Sequence, residues 1–254
     1  MINKYTCGAM ADIGVGRENQ EDFVQFLELD EQNLFCVIAD GSGSKKEHTQ
    51  PAPIVVMDII ETVGAIFRQR KELFVQDPEF FIKTAMQNAN KLLGAFKLGN
   101  EELYAGYAAS VTCCFFAENG RIYVGHSGNT RLYIIRDGLI KQLTRDHTKA
   151  AVLLAEGKID PVTYHVHPDR LKLTSGIGVI LNPEIQTFTG KMKEQDLILM
   201  TTDGIHYALQ PEAIMEIVLH ASNVTSAAQD LVNAAKNIIK YPDNMSAMLV
   251  HYTK

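Results

Sequence analysis

The stretch FCVIADGSGS, residues 35–44, decides how the chain folds. From Leu34 to Ala39 no polar side chain interrupts the run, so it reads as a strand buried on both faces. The run stops at Asp40-Gly41. A rigid strand end thus sets a carboxylate at the rim of a core, beside a carbonyl that no Cβ shields. Such a pair suits a cation held through oxygen. Asp-Gly after a strand is by itself the mark of a turn, and it gains meaning only from partners elsewhere.

Those partners lie far apart along the chain. Glu21-Asp22 come early in GRENQED, residues 16–22; Asp203-Gly204 end a second apolar run, DLILMTTDG; Asp243-Asn244 precede a last one in YPDNMSAMLV. Acidic residues at the borders of separate apolar runs are what a site for a hard, oxygen-seeking cation requires when several strands build it.

The 254 residues carry 46% apolar and 21% charged side chains, ordinary values for a globular protein with a large core. A formal net charge of −6 argues against non-specific binding of nucleic acid, because there is no excess of Lys and Arg to displace counterions. No run approaches the roughly 18–20 apolar residues of a membrane span, and MINKYTCGAM does not read as a signal peptide, so the expected location is the cytoplasm. Cys7, Cys36, Cys113 and Cys114 lie in apolar runs without metal-ligand spacing and read as reduced core thiols. Cys113 and Cys114 would face opposite sides of one strand.

In chain order, residues 5–13, 23–29 and 34–39 read as strands of an N-terminal meander. Apolar residues recur at helical spacing over 52–70 and again from Ile82 to Phe96. A second block of strands runs through ASVTCCFFA, RIYVGHSG, TRLYIIRDG and LIKQLT, with hairpin signals at Asn119-Gly120 and Asp137-Gly138, and reads as another antiparallel meander. Residues 149–156 form a short helix ended by Gly157, and KIDPVTYHVHPDR is a surface segment of low regularity. Strands resume near Glu184 and Leu197, helices cover 211–219 and 226–239, and 245–252 closes the chain as a strand. The expected class is α+β: two antiparallel sheets packed as a central β-sandwich with helices on both outer faces, in one domain spanning 1–254.

With these pieces in order, the chain resembles the type-2C metal-dependent serine/threonine protein phosphatases, the PPM family. The resemblance rests on GRENQED with Arg17, IADGSGS, SVTCC, GNTRLY with Gly128 and Arg131, LTRDHT with Asp146 and His147, LTSGIG, MTTDG and PDNMS, which together span residues 17–246. It implies hydrolysis of phosphoserine and phosphothreonine monoesters by in-line attack of a water or hydroxide bridging two Mn²⁺ or Mg²⁺ ions. By position Asp40 bridges the ions, Glu21 and the Gly41 carbonyl complete one, and Asp203 with Asp243 complete the other. Arg17 would hold the phosphoryl group, with Asp22 and Asn244 supporting the ligands. Phosphorylated proteins follow as substrates, with a serine/threonine kinase or its targets as partners. Residues 149–170 would form a mobile flap that samples substrate.

Two residues depart from the family pattern. Ser42 stands where some members have histidine, and a hydroxyl is a poor acid at neutral pH, which leaves a metal-bound water as proton donor. Asn129 replaces a carboxylate associated with a third metal, so a third ion is expected to be weak or absent.

Plainer readings have their weight. Each Asp-Gly or Asp-Asn alone is a turn, and Arg17 is equally placed to pair with Glu18 or Glu21 at the surface. DGSGSKK lacks the spacing of a nucleotide loop. His165 and His167 share a face if extended, but two isolated surface histidines are more often solvated, and His147 reads as structural. The alternative function is a catalytically impaired scaffold or regulatory binding module of the same fold. A two-metal nuclease fits the carboxylates but not the charge balance.

Overall fold

The computed structural model describes residues 4–43, 50–98, 104, 106–238 and 243–253. The apolar run lies inside strand β3 (Asn33–Ser42), which pairs antiparallel with β2 (Asp22–Asp30) on one side and β4 (Ala108–Phe116) on the other. β5 (Arg121–Ser127) and β8 (Gln186–Lys191) extend this sheet to the order β2-β3-β4-β5-β8. The second sheet runs β1-β10-β9-β6-β7, from β1 (Tyr5–Asp12), β10 (Met245–Tyr252), β9 (Leu197–Thr201), β6 (Arg131–Arg136) and β7 (Leu139–Gln142).

Side chains alternate across each strand, and in β3 both faces are covered. Cys36 and Ile38, with Cys114 and Phe116 from β4, meet Met200, Met248 and Val250 of the opposing sheet. Phe35, Val37 and Ala39, with Cys113 and Phe115, turn outward onto helices α1 (Pro51–Gln76) and α2 (Pro78–Lys97). A single turn, α5 (Asp203–His206), follows β9, and helices α6 (Pro211–His220) and α7 (Val224–Lys236) cover the other sheet through Ile214, Ala228, Leu231 and Val232. The result is helix, sheet, sheet, helix, as the patterning predicts. The four cysteines are free, with Cys113 and Cys114 in different cores. Among the described residues no helix is long and apolar enough to cross a membrane.

The structure revises the connectivity. Neither meander exists as such: β1 pairs with β10 rather than β2, and β5 and β6 lie in different sheets. The true hairpins are β2–β3 through the two-residue turn 31–32, β4–β5 through Gly120, and β6–β7 through Asp137 and Gly138, both at positive φ. Where no tight turn is available, at 13–21 and 127–130, the chain crosses between sheets.

Residues 149–171 are more regular than expected. After α3 (Lys149–Ala155), ended by Gly157 at φ +69°, come α4 (Pro161–Val166) and a 3₁₀ turn (Pro168–Leu171). The Asp160 carboxylate caps α4 by accepting from the Thr163 N–H at 2.8 Å, and Pro161 fits the first turn. His165 is therefore helical, and the shared strand face with His167 is not formed. The α1 helix continues past its expected end, although Arg70 breaks helical geometry there. The last helix starts two residues earlier than expected, and Ile239 lies outside the described residues, as do Ser44 to Lys46 of DGSGSKK.

Gly8 records how closely α7 docks on β1. A Cβ there would stand 2.5 Å from the Thr225 nitrogen and 2.6 Å from the Val224 carbonyl carbon, both backbone atoms that cannot swing aside. Gly8→Ala is expected to destabilise by about 1–3 kcal/mol through overpacking. Gly94→Ala, whose Cβ meets nothing within 4 Å, is expected to stabilise by about 0.5–1 kcal/mol through helix propensity. Paired thermal melts distinguish the two signs.

Candidate active site

Because β2, β3 and β4 are antiparallel, the start of β2 and the end of β3 fall at the same end of the sandwich, with Asp22 opposite Asp40 and Asp40 opposite Ser110. The other sheet brings the end of β9 and the start of β10 there, since Thr201 pairs with Ala247. A cleft of about 340 Å³ opens at this end, lined by Arg17, Glu21, Asp40, Gly41, Asp203 and Asp243. Ser42, Ser110, Asn129, Leu171, Leu173 and Val179 also line it. Carboxylates up to 222 positions apart in the chain thus share one depression, while Asp22 and Asn244 lie buried beneath it.

The carboxyls press on one another. Burial, then the charges of Asp203, Asp22 and Asp243, hold Asp40 well above the usual carboxylate range. In its protonated form Asp40 hydrogen-bonds to Asp203. Burial and the Asp243 charge push Asp203 up to about 6 despite that bond and one from Asn129. Burial also raises Asp22 to about 8, although the Thr202 hydroxyl donates to its Oδ2 at 2.7 Å. A cluster whose members resist ionising together calls for positive charge. The donors are carboxylate oxygens and the Gly41 backbone, the chemistry of a hard divalent cation. Among the described residues no three His, Cys, Asp or Glu side chains already enclose a single point as a finished metal cage. The gathered carboxylates and the glycine nonetheless fit such cations in type and in charge.

Arg17 occupies the rim. Its Nη2 stands 3.0 Å from Glu21 Oε2 and 3.1 Å from Asp243 Oδ1, so the plain ion pair with Glu21 is present and extends to Asp243. Asn244 anchors the segment that carries Arg17 and Glu21. Its Oδ1 accepts the Glu21 N–H at 2.7 Å, and its Nδ2 donates to the carbonyls of Ile13 and Asn19. Gly41 is needed for close approach: its N–H donates to the Glu21 carbonyl at 3.0 Å, and a Cβ would stand 2.8 Å from that oxygen.

Asn129 Nδ2 donates to Asp203 Oδ2 at 3.0 Å, so a neutral amide stands where the family pattern has an acid. Its turn is held by residues whose roles sequence reasoning missed. Ser110 Oγ accepts the N–H groups of Asn129 at 2.7 Å and Thr130 at 2.6 Å, and donates to Thr130 Oγ1. Gly128, at φ +118°, donates its N–H to His147 Nδ1 at 3.2 Å, and its carbonyl accepts the His147 N–H at 2.7 Å. The motif pieces SVTCC and LTRDHT mark these positions without showing what they touch.

Below the turn, Arg131 and Asp146 form a buried fork, with Nε to Oδ1 at 2.9 Å and Nη2 to Oδ2 at 2.7 Å. Tyr164 of α4 donates to the same carboxylate at 2.5 Å. Burial alone would raise Asp146; the Arg131 charge and hydrogen bonds override it and leave the carboxyl at about 2. The flap region is thereby tied to the framework, and Leu171 and Leu173 just beyond it reach the cleft.

The folds that this sandwich matches are those of serine/threonine phosphatases. The Streptococcus agalactiae serine/threonine phosphatase superposes with a TM-score of 0.86 at 21% identity over 98% of this chain and 99% of that one. The catalytic domain of the serine/threonine protein phosphatase PstP, in complex with two manganese ions, gives 0.80 at 21% identity over the same shares. Protein phosphatase PhpP of Streptococcus pneumoniae is 25% identical over 247 residues, 95% of each chain. The model of the protein phosphatase 2C family matches residues 12–236. The chain belongs to that family, the PPM-type serine/threonine phosphatases.

The sign of the carboxylate repulsion is testable without activity. Asp40 has a folded pKa above its unfolded value, so its cost to the metal-free fold grows as pH rises from about 4. Asp40→Asn is expected to raise the melting temperature of the metal-free protein, more at pH 8 than at pH 5. The same change is expected to reduce the stabilisation that Mn²⁺ gives the natural protein, as read by melting with and without MnCl₂.

Proposed function

We propose that residues 1–254 form one catalytic domain that hydrolyses phosphoserine and phosphothreonine monoesters in proteins, with two Mn²⁺ or Mg²⁺ ions held by Glu21, Asp40, the Gly41 carbonyl, Asp203 and Asp243. The observation that carries this reading is the meeting of Asp40, Asp203 and Asp243, from remote segments, in one cleft where burial and the neighbouring charges raise Asp40 and Asp203 above the usual carboxylate range. The manganese-bound relative of the same fold and the family match support it. Phosphate monoesters hydrolyse extremely slowly unaided. The ions, when bound, supply positive charge to the phosphoryl oxygens and bring the pKa of a water near neutrality.

The chain's own groups do the rest. Asp40, in hydrogen-bonding contact with Asp203, would hold the ions together with Glu21, Asp203 and Asp243. Arg17 stands at the mouth with a guanidinium fork that matches two phosphoryl oxygens. Asn244 fixes the backbone beneath Glu21, and Asn129 orients Asp203 without adding a charge, which leaves a third ion weakly held. Ser42 lies exposed at the cleft and is too weak an acid to protonate the leaving alkoxide. The substrates are phosphoproteins, the partners a serine/threonine kinase or its targets, and the location cytoplasmic.

Hydrolysis of p-nitrophenyl phosphate and of a phosphothreonine peptide with Mn²⁺ or Mg²⁺ tests the proposal. Asp40→Asn is expected to lower kcat/KM at least about a hundredfold, as for loss of a transition-state electrostatic group. Arg17→Ala is expected to raise KM roughly ten- to hundredfold, the worth of charged hydrogen bonds to substrate. Inactivity with every divalent ion would overturn the reading in favour of a scaffold. Calorimetric titration with Mn²⁺ is expected to show two tight sites, and three comparably tight ones would contradict the role given to Asn129.

A further inference from the structure

Val179 lines two depressions, the catalytic cleft and a groove of about 500 Å³ beside it. The groove runs between the last turns of α2 and the segment 178–181. Its walls are apolar and open: Leu98 is 75% exposed and Leu181 87%, with Ile180 between them also exposed. Exposed apolar side chains clustered next to a reaction site mark a place where something docks.

The groove is already formed. Asn90, buried on α2, accepts the Gly178 N–H at 2.7 Å on Oδ1 and donates from Nδ2 to the Leu181 carbonyl at 2.9 Å. Lys97 Nζ donates to the Gly178 carbonyl at 2.5 Å. Gly178 lies at φ +80°, where a Cβ would stand 2.6 Å from the Tyr107 carbonyl oxygen, so the segment fits α2 in one way. A ligand entering a preformed groove loses little to ordering it. Among the described lining residues the only ionised side chains are Lys91 and Lys97. The groove's charge therefore complements an acidic partner.

Resting on the phosphoprotein reading of the cleft, we propose that this groove receives the substrate polypeptide beside the phosphorylated residue. An apolar side chain seats against Leu98, Ile180 and Leu181, and an acidic neighbour faces Lys91. A phosphorylated residue in the cleft belongs to a chain that must leave past one of its walls, and Val179 is the wall the two depressions share. Because the two depressions share Val179, the seated side chain lies within a few residues of the phosphate, on one side only. The preferred substrate class is then a phosphosite flanked by an apolar residue and acids.

A set of phosphothreonine peptides carrying a single leucine in turn at each position from −4 to +4 tests this, with p-nitrophenyl phosphate as the substrate too small to reach the groove. The ratio of kcat/KM for peptide to kcat/KM for p-nitrophenyl phosphate is expected to rise about tenfold for leucine on one side of the phosphothreonine, the discrimination typical of an apolar pocket. Gly94→Phe fills the groove from a position where a Cβ meets nothing within 4 Å, and is expected to abolish the leucine preference. Leu181→Ser is expected to weaken it.

A flat leucine scan in a protein that turns over p-nitrophenyl phosphate would overturn this inference and leave the phosphatase reading standing. Absence of p-nitrophenyl phosphate turnover with any divalent ion would overturn both. A concentration-dependent dimer dissolved by Leu181→Glu, together with a flat scan, would assign the groove to a second copy of the chain and overturn the substrate assignment.

Discussion

Carboxylates that would separate in water are held together at one end of this sandwich, and the rest of the structure provides the restraint. Asp40 is fixed because it sits within β3, paired with Asp22 on one side and Ser110 on the other, directly after a run buried on both faces. Asp203 follows β9 and Asp243 precedes β10, and these neighbouring strands of the opposing sheet pair in register. Burial first, and then the neighbouring charges, raise Asp40, Asp203 and Asp22 above the usual carboxylate range. On the proposed reading that free energy would be recovered on cation binding, which would couple the stability of the fold to occupancy of the site.

Around the cluster the polar groups are satisfied in layers. Asn244 joins the 13–21 crossover to β10, Thr202 joins Asp22 to β9, and Ser110 joins β4 to the turn bearing Asn129. Each of these short side chains links one sheet to a segment of the other across the end of the sandwich. Hydrogen bonds across that boundary hold the site's geometry where apolar packing has no directional preference. The buried Arg131–Asp146 fork does the same beneath the flap region. Its contribution is to orientation as much as to stability, because paired charges in a core roughly offset their own desolvation.

The two sides of the cleft differ in character. One is the acidic floor and the Arg17 rim; the other is the apolar wall of Leu171, Leu173 and Val179, continuous with the groove along α2. On the proposed reading the acidic side handles charge on phosphorus and the apolar side meets a polypeptide. The two surfaces meet at Val179, which lines both the cleft and the groove.

Much of this was legible in the amino-acid order. Uninterrupted apolar runs ending on Asp-Gly mark buried strands with carboxylates at their ends, since only a fully covered strand tolerates such a run. Period 3.6 locates the covering helices, and the motif series marks every acidic residue that lines the cleft. The pairing of the strands was not legible. Residues 5–12 and 22–30 are neighbours in sequence, yet the first joins β10 across almost the whole chain, because pairing depends on which faces remain uncovered after packing. Nor do single residues announce relations such as Ser110 to Asn129 or Arg17 to Asp243, which come from crossovers between sheets and have no sequence period. The sequence by itself determined the layers and the chemistry of the site; the tertiary structure decided the partners, since hydrogen bonds and charge repulsion act through space and not along the chain.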